Sequence, residues 1–215
     1  MQFAMSEFGS PGKSLWSWIA PVLLAGTALG CDAVLPSVGA DRVLIAALDE
    51  PTHLATAALV LTAALDGSRS LVPARWIAVA LAASVLIDLD HVPLYLGATG
   101  FAPEGRPLTH SLATAVALMA ITALLRGRAR TVAAATALGV GLHLARDLAT
   151  GPGVSLCWPL STRSLVLPYP WYAAVVVALA GIGVARRTLG RASPAGSASA
   201  RRIAPSDGGT QDSSS

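Results

Sequence analysis

Long apolar segments with few charges follow one another along most of this 215-residue chain. Hydrophobic residues make up 53% of the sequence and charged residues only 13%, whereas an ordinary soluble domain carries about 25% charged residues. With a mean hydropathy of +0.61, this composition excludes a disordered protein, a disulfide-rich secreted scaffold and a typical cytosolic enzyme. The predicted fold class is an all-α, multi-pass membrane helical bundle of about six transmembrane helices, at about residues 15–35, 43–65, 74–96, 109–125, 131–150 and 171–184.

The basic residues predict the orientation of this bundle. If the N-terminus is cytoplasmic, eleven Lys and Arg residues fall on the cytoplasmic side and three, Arg42, Arg106 and Arg163, fall in the outer loops. Because cytoplasmic loops carry the excess of basic residues, we expect both termini in the cytoplasm and the protein in the cell (inner) membrane. The pI of 9.3 comes with a net charge of only +3, so nucleic acid is not an expected partner.

The sequence divides into three regions. Residues 1–41 are predicted to be an N-terminal extension with the first transmembrane helix, residues 42–190 a membrane-embedded domain, and residues 191–215 a disordered cytoplasmic tail. The first segment has a competing interpretation as a signal anchor or a cleaved lipoprotein signal, because an apolar stretch precedes Ala28-Leu29-Gly30-Cys31. Cys31 and Cys157 have no metal-type spacing and need not pair.

All four histidines lie in or at the ends of apolar segments, beside other polar groups. An ionisable residue costs about 2.5–3.5 kcal/mol at the centre of a membrane helix on insertion scales, so each one is a candidate for function. In the first cluster, Asp49 and His53 share a face if the helix is continuous. Pro51 favours another arrangement, in which the helix begins near Pro51 and Asp49 or Glu50 caps it.

The second and fourth clusters contain closely spaced acids and histidines. Asp88 and His91 share a helical face, and Asp90 either points elsewhere or joins them where the helix ends. His143 and Asp147 are four residues apart, a spacing that lets both reach one metal or lets the carboxylate orient the imidazole.

The third cluster precedes the fourth predicted helix. His110 is its candidate ligand, Thr109 is a candidate helix cap, and we expect Ser111 to pack or to support the ligands. Arg106 is either an interfacial anchor or a group that faces the substrate. In the fourth cluster, Arg146 either pairs with an acid or binds an anionic substrate group.

The predicted topology brings all four clusters to one membrane depth near the outer face. Imidazole and carboxylate ligands without a thiolate cluster suit zinc, or else manganese or iron. The candidate metal ligands are His53, Asp88, Asp90, His91, His110, His143 and Asp147. Because seven groups exceed one tetrahedral zinc site, we expect one or two ions, as in many phosphoester hydrolases. Asp90 and His91 are also catalytic candidates, and Arg106 or Arg146 would offset the charge of a phosphate.

The same motifs carry a family resemblance. In chain order they are Pro51-Thr52-His53, Asp88-Leu89-Asp90-His91, R-x-x-T-H-S at 106–111, H-x-x-x-D-x-x-T at 143–150, and Trp158-Pro159. Over about residues 48–165 the chain resembles the LexA-regulated, membrane-bound metal-dependent hydrolase family, which is similar to the zinc-dependent phospholipase C and zinc nuclease group. The resemblance implies metal-dependent hydrolysis, with ligand roles for His53, Asp88, Asp90, His110, His143 and Asp147, and His91 beside them.

Two features depart from that family pattern. Ile87 stands where the family usually has a proline, and about 48 residues precede the first motif. Both bear on the shape of the access route to the site and leave the ligands unchanged.

These observations predict a membrane-bound metal-dependent hydrolase that acts at the extracytoplasmic face on a phosphoester, with a phospholipid or lipid-linked compound among the candidates. The expected partners are the lipid bilayer and a small-molecule or lipid substrate. The alternative is a transporter, or a non-catalytic membrane protein, that uses the His and Asp groups to handle ions or protons. Transporters often contain internal repeats and mid-membrane polar groups, and this sequence shows no repeat.

Overall fold

The computed structural model describes residues 11–39, 41–65, 72–98 and 106–189. Helices make up most of this part, and the described residues contain no strand beyond two isolated β-bridges, so the all-α prediction is confirmed. The predicted disordered tail at 191–215 lies outside the described residues. The helices are α1 Pro11–Val34, α2 Arg42–Leu65, α3 Ala74–Leu86, α4 His91–Tyr95, α5 Leu112–Leu124, α6 Gly127–Asp147 and α7 Tyr169–Leu189.

All six predicted segments contain a helix, and four stretches are long and apolar enough to cross a membrane by length and composition. These four are Trp18–Ser37, Arg42–Leu65, Ala74–Pro93 and Tyr169–Thr188. Helix α5 has only 13 residues and is about 20 Å long, which is shorter than the hydrocarbon core of about 30 Å. Helix α6 has 21 residues but also carries Arg128, Arg130, Arg146 and Asp147.

Helix α2 is continuous from Arg42 to Leu65 and contains Pro51. The prediction that this helix starts near Pro51 is therefore wrong. Asp41 marks the start instead, because its carboxylate accepts the backbone N–H groups of Val43 and Leu44 at 3.0 and 3.1 Å.

Pro51 lies in the interior of this helix. Proline lacks the N–H that would bond one turn back along the helix. At the next residue the hydroxyl of Thr52 donates to the carbonyl of Leu48 at 2.8 Å. Because the helix continues through this turn, Asp49 and His53 lie on one face of it.

The bundle packs through small and branched side chains. Helix α1 packs against α2 and α7, while α6 packs against α3 and α5 and also contacts α2. Ala28, Leu59 and Val176 are fully buried in the core between α1, α2 and α7. Small residues allow helix backbones to approach closely when lipid supplies no hydrophobic driving force.

The helix order places the polar clusters at one end of the bundle. Helices α3 and α6 end near a cluster, and α2 has its cluster in its first half. Two contacts show that these ends meet: the His143 ring of α6 stacks on the His53 ring of α2, and it hydrogen bonds to the Ser84 carbonyl of α3.

Helices α3 and α6 approach each other closely at Gly139. A Cβ atom at this position would lie 2.1 Å from the carbonyl oxygen of Ala80 and 2.8 Å from the Cβ of Ala83. Side chains cannot be added at such distances without separating the two helices.

We expect Gly139→Ala to lower the free energy of unfolding by about 1–3 kcal/mol, the usual cost of overpacking. Thermal unfolding in detergent micelles, followed by circular dichroism, measures this change. Gly141→Ala on the same helix is the matched control, since nothing lies within 4 Å of a Cβ there and alanine favours a helix over glycine by about 1 kcal/mol. Equal losses in the two variants would contradict a close helix contact at Gly139.

Candidate metal centre

Helix α2 places Asp49 and His53 in the polar end of the bundle. His53 is almost completely buried. Its Nε2 atom lies 3.6 Å from Oδ2 of Asp49 and 3.6 Å from Oδ1 of Asp147 on α6. The His53 ring also stacks on the His143 ring, with 3.7 Å between centroids. The first and fourth sequence clusters therefore form one site.

The end of α3 brings the second cluster together. The chain changes from α3 into the 3₁₀ helix Ile87–Asp90, and α4 begins at His91. Nδ1 of His91 lies 3.2 Å from Oδ1 of Asp88 and 3.0 Å from Oδ1 of Asp90. The tighter 3₁₀ winding thus confirms the alternative in which the helix ends and all three polar groups converge.

The loop before α5 supplies His110. Its Nε2 atom lies 3.0 Å from Oδ1 of Asp88, and its Nδ1 atom lies 3.2 Å from Oδ2 of Asp90. His110 precedes α5, which begins at Leu112, and it lies outside the four candidate membrane spans; the predicted segment at 109–125 is not among them. Burial lowers the pKa of the His110 imidazole, but the two carboxylates outweigh burial and raise that pKa above its usual value. Protons therefore compete with any metal ion for these nitrogen atoms.

Thr109 and Ser111 flank His110. The hydroxyl of Ser111 accepts the backbone N–H of Thr114 at 3.4 Å and caps α5. The prediction of Thr109 as the cap is wrong, because the helix starts three residues later, at Leu112. The Thr109 hydroxyl instead donates to the carboxylate of Asp90 and orients it. Ser111 is fully buried, in agreement with its predicted packing role.

A backbone carbonyl determines which nitrogen of His143 carries the proton. Nδ1 lies 2.9 Å from the carbonyl oxygen of Ser84, and a carbonyl can only accept, so Nδ1 is the protonated nitrogen. The lone pair of the neutral ring is then on Nε2. This atom lies 3.0 Å from Oδ2 of Asp147 and 3.1 Å from Nε2 of His110. A proton or a metal cation among these atoms removes the repulsion between their lone pairs.

Three overlapping groups of residues could hold a metal ion. Within each group, one possible ligand atom per residue lies within 4.8 Å of the others. The groups consist of Asp88, Asp90, His91 and His110; of His53, Asp88 and His143; and of His110, His143 and Asp147. The structure therefore brings together all seven predicted ligands.

The number of ions that these groups can hold is limited by His143. Its Nδ1 atom donates a hydrogen bond to the Ser84 carbonyl, so Nε2 is the one ring nitrogen that can bind a metal ion. His143 belongs to two of the three groups, and one imidazole nitrogen binds one ion. The described ligands can thus hold at most two ions, each in a different group.

The donor atoms of the cluster fit a divalent metal. Within the described part of the chain, the buried Oδ2 atom of Asp88 has no hydrogen-bond partner, although buried polar groups normally have one. Neither Cys31 nor Cys157 belongs to a candidate group. Nitrogen and oxygen donors without sulfur suit zinc, and also manganese or iron.

Arg146 lies behind the ligands and is fully buried. Its Nη2 atom donates to Oδ1 of Asp32 at 2.7 Å, and its Nη1 atom lies 2.7 Å from Oδ1 of Asp49 and from Nε2 of His53. Of the two predicted alternatives for Arg146, pairing with acids is the one seen in the structure. Since arginine only donates, the His53 Nε2 lone pair is directed at Arg146.

Arg106 approaches the cluster from the loop before α5. Its guanidinium donates to the carboxylate of Asp147, and its side chain is 10% exposed. Gly151 leaves room for this side chain, because a Cβ there would lie 2.9 Å from Nη2 of Arg106. Arg106 is thus more accessible to a substrate than Arg146.

The sequence alone did not identify Asp32 as part of the site. This residue lies near the end of α1, and its carboxylate accepts from Arg146 and, at 3.2 Å, from the hydroxyl of Tyr169. An acidic residue in an apolar segment by itself indicates a candidate functional or paired group. However, Asp32 has no polar neighbour in the sequence, and its partners come from α6 and α7.

We expect Asp32→Asn to lower the free energy of unfolding by about 3 kcal/mol, because it removes one partner of a buried ion pair. Tyr169→Phe is the comparison variant, since it removes one hydrogen bond to Asp32 and costs about 1 kcal/mol. Thermal unfolding of both full-length variants in detergent measures the difference. An Asp32→Asn protein as stable as the wild type would show that Asp49 alone neutralises Arg146.

Comparison with known proteins identifies the family. The family described as YdjM inner membrane protein matches residues 48–203, which is more than half of the chain. No curated protein and no solved structure matches the chain. The matched region contains all seven candidate ligands and starts within α2, so α1 with Asp32 precedes it. The membrane part of the sequence-based resemblance is thereby confirmed: the chain belongs to the YdjM inner membrane protein family.

Proposed function

We propose that this membrane protein is a metal-dependent hydrolase of phosphoesters. The observation that carries the proposal is the Nε2 lone pair of His143, which faces Asp147 and His110 at 3.0 and 3.1 Å while Nδ1 is held by the Ser84 carbonyl. A histidine with one nitrogen fixed by a backbone carbonyl and the other directed at further ligands is typical of metal sites.

Residues from four parts of the chain would hold the metal. His110 comes from the loop before α5, His143 and Asp147 from the end of α6, Asp88 and Asp90 from the 3₁₀ helix. His53 of α2 would join them by giving up the hydrogen bond that its Nε2 atom accepts from Arg146. A bound divalent ion would supply an acidified water molecule and offset the charge of phosphate oxygens.

The remaining polar groups would bind and orient the substrate. The planar guanidinium of Arg106 can donate two hydrogen bonds to phosphate oxygens. Thr109 holds the Asp90 carboxylate in place. His91 lies between Asp88 and Asp90 and is 17% exposed in its side chain, so it is placed to give a proton to the leaving alcohol oxygen. In the overall reaction, water adds to phosphorus and the phosphorus–oxygen ester bond breaks.

We infer that the site faces the extracytoplasmic side. The distribution of the basic residues favours a cytoplasmic N-terminus. Helix α1 begins at Pro11 and carries Asp32 near its other end, and Asp32 contacts the site through Arg146. A single crossing by α1 would therefore put the site at the opposite face of the membrane.

Metal content is the first test of this function. We expect the purified full-length protein to retain at least one equivalent of zinc, manganese or iron by mass spectrometry. His143→Ala and Asp147→Ala should weaken metal affinity by at least tenfold, since even supporting residues of metal sites change affinity 10–100-fold. Cys157→Ser is the matched control, because this exposed cysteine belongs to no ligand group. Full retention of metal by both site variants would refute the metal centre.

Hydrolysis is the second test. We expect the metal-loaded protein in detergent to cleave at least one member of a panel that contains p-nitrophenyl phosphate, bis-p-nitrophenyl phosphate and phosphatidic acid. Chelation should abolish the activity, and Arg106→Gln should lower kcat/KM by about 10–100-fold, whereas Arg106→Lys should retain part of it. Bound metal without cleavage of any panel member would instead favour an ion-handling or non-catalytic membrane protein.

A further inference from the structure

A cavity of about 310 Å³ opens beside the metal-ligand cluster, between α2 and the segment formed by α3 and α4. One part of its wall is apolar and includes Ile45, Leu86 and Val92. The rest of the wall is polar and consists of Asp49, Glu50, Asp88, His91 and Tyr95. One cavity thus joins apolar walls to the candidate metal ligands.

A second cavity of about 230 Å³ continues from the first. The two share Ile45, Asp49, His91 and Tyr95 among their lining residues, and the second extends to Arg106. The space around the cluster therefore has an apolar arm between the helices and a cationic arm at the loops.

The rim of the apolar arm is suited to lipid. Leu86 and Leu89 are 56% and 62% exposed, and both line the first cavity. At the mouth, the guanidinium of Arg42 lies 4.8 Å from the ring centroid of Tyr95. Tyrosine is enriched at the membrane–water interface, and arginine side chains also act as interfacial anchors, which favours a position of this rim close to the lipid headgroups.

We propose that the substrate is an amphiphile in which a phosphoester head is joined to a long hydrocarbon chain. This inference rests on the proposed function. The head would lie between the metal ligands and Arg106, and the first part of the chain would lie in the apolar arm between α2 and α3–α4. Charge complementarity supports this orientation, because Arg106 lines the second cavity and not the first. The carboxylates of Asp49, Glu50 and Asp88 in the first cavity would repel a phosphate, whereas its exposed side chains Leu86 and Leu89 are apolar.

The test compares lipid and water-soluble phosphoesters. Metal-loaded full-length protein in detergent micelles is given dioleoyl phosphatidic acid, farnesyl phosphate, glycerol 3-phosphate or p-nitrophenyl phosphate, and released phosphate is measured. We expect kcat/KM to be at least 100-fold higher for one of the two long-chain compounds than for either soluble one. The preferred long-chain compound distinguishes a glycerolipid from a prenyl source.

Leu86→Trp tests the apolar arm directly. This change puts a large ring at an exposed wall position, and we expect it to lower the lipid-to-soluble ratio of kcat/KM at least tenfold. Val116→Trp is the matched control, because Val116 is 50% exposed on α5 and lines neither cavity. An unchanged ratio in Leu86→Trp, or equal cleavage of soluble and long-chain compounds by the wild type, would overturn the inference and leave the hydrolase function standing.

A binding measurement keeps the inference testable if no turnover is seen. Phosphatidic acid with a photoreactive group in its acyl chain is crosslinked to the full-length protein in nanodiscs, and the labelled peptides are identified. We expect labelling within residues 85–95 that unlabelled phosphatidic acid suppresses and glycerol 3-phosphate does not. Loss of this labelling in Leu86→Trp but not in Val116→Trp supports the apolar arm, whereas labelling that no competitor suppresses contradicts it.

Discussion

The structure depends on holding carboxylates and four imidazoles together at one end of an apolar bundle. Isolated charges in such surroundings are costly unless they are paired or bind a metal. Two arginines offset part of this negative charge. Arg146 pairs with Asp32 and Asp49 behind the cluster, and Arg106 pairs with Asp147. Asp88 and Asp90 face mainly imidazole nitrogens. This remaining negative charge is what would favour a bound cation.

The packing of the helices and the chemistry of the site are coupled through α6. Gly139 and His143 are one turn apart on the same helix. The first allows α6 to approach the backbone of α3, and the second then reaches the Ser84 carbonyl of α3. The orientation of the imidazole therefore follows from the distance between two helices. A change in that distance would move Nε2 relative to Asp147.

Much of the fold and of the ligand set could be predicted, because ionisable residues are rare in the apolar segments and each one stands out. The six helical segments and the seven candidate ligands were found in this way. The start of α2 was predicted incorrectly, because the pattern around Pro51 resembles a helix start and the cap at Asp41 is a weaker sequence signal. Asp32 was missed because its partners are distant in the sequence.

Helix α1 contributes to the site in a way that its own sequence does not predict. It precedes residues 48–203, which the family matches, and by sequence it is only a membrane anchor. In the structure its carboxylate at Asp32 pairs with Arg146, which in turn contacts His53. The N-terminal extension therefore takes part in the electrostatic balance of the site.

The sequence by itself determined that this chain is a helical membrane protein and which side chains are candidate ligands, because both conclusions follow from composition and from the cost of charge in hydrocarbon. Only the tertiary structure decided which of these side chains pair with one another and which of their atoms face the other candidate ligands. It directs Arg146 to acids, turns Nε2 of His143 toward Asp147 and His110, and joins a partly apolar cavity to the cluster. These features depend on contacts between helices that are far apart in the chain, and helical periodicity carries no information about such contacts.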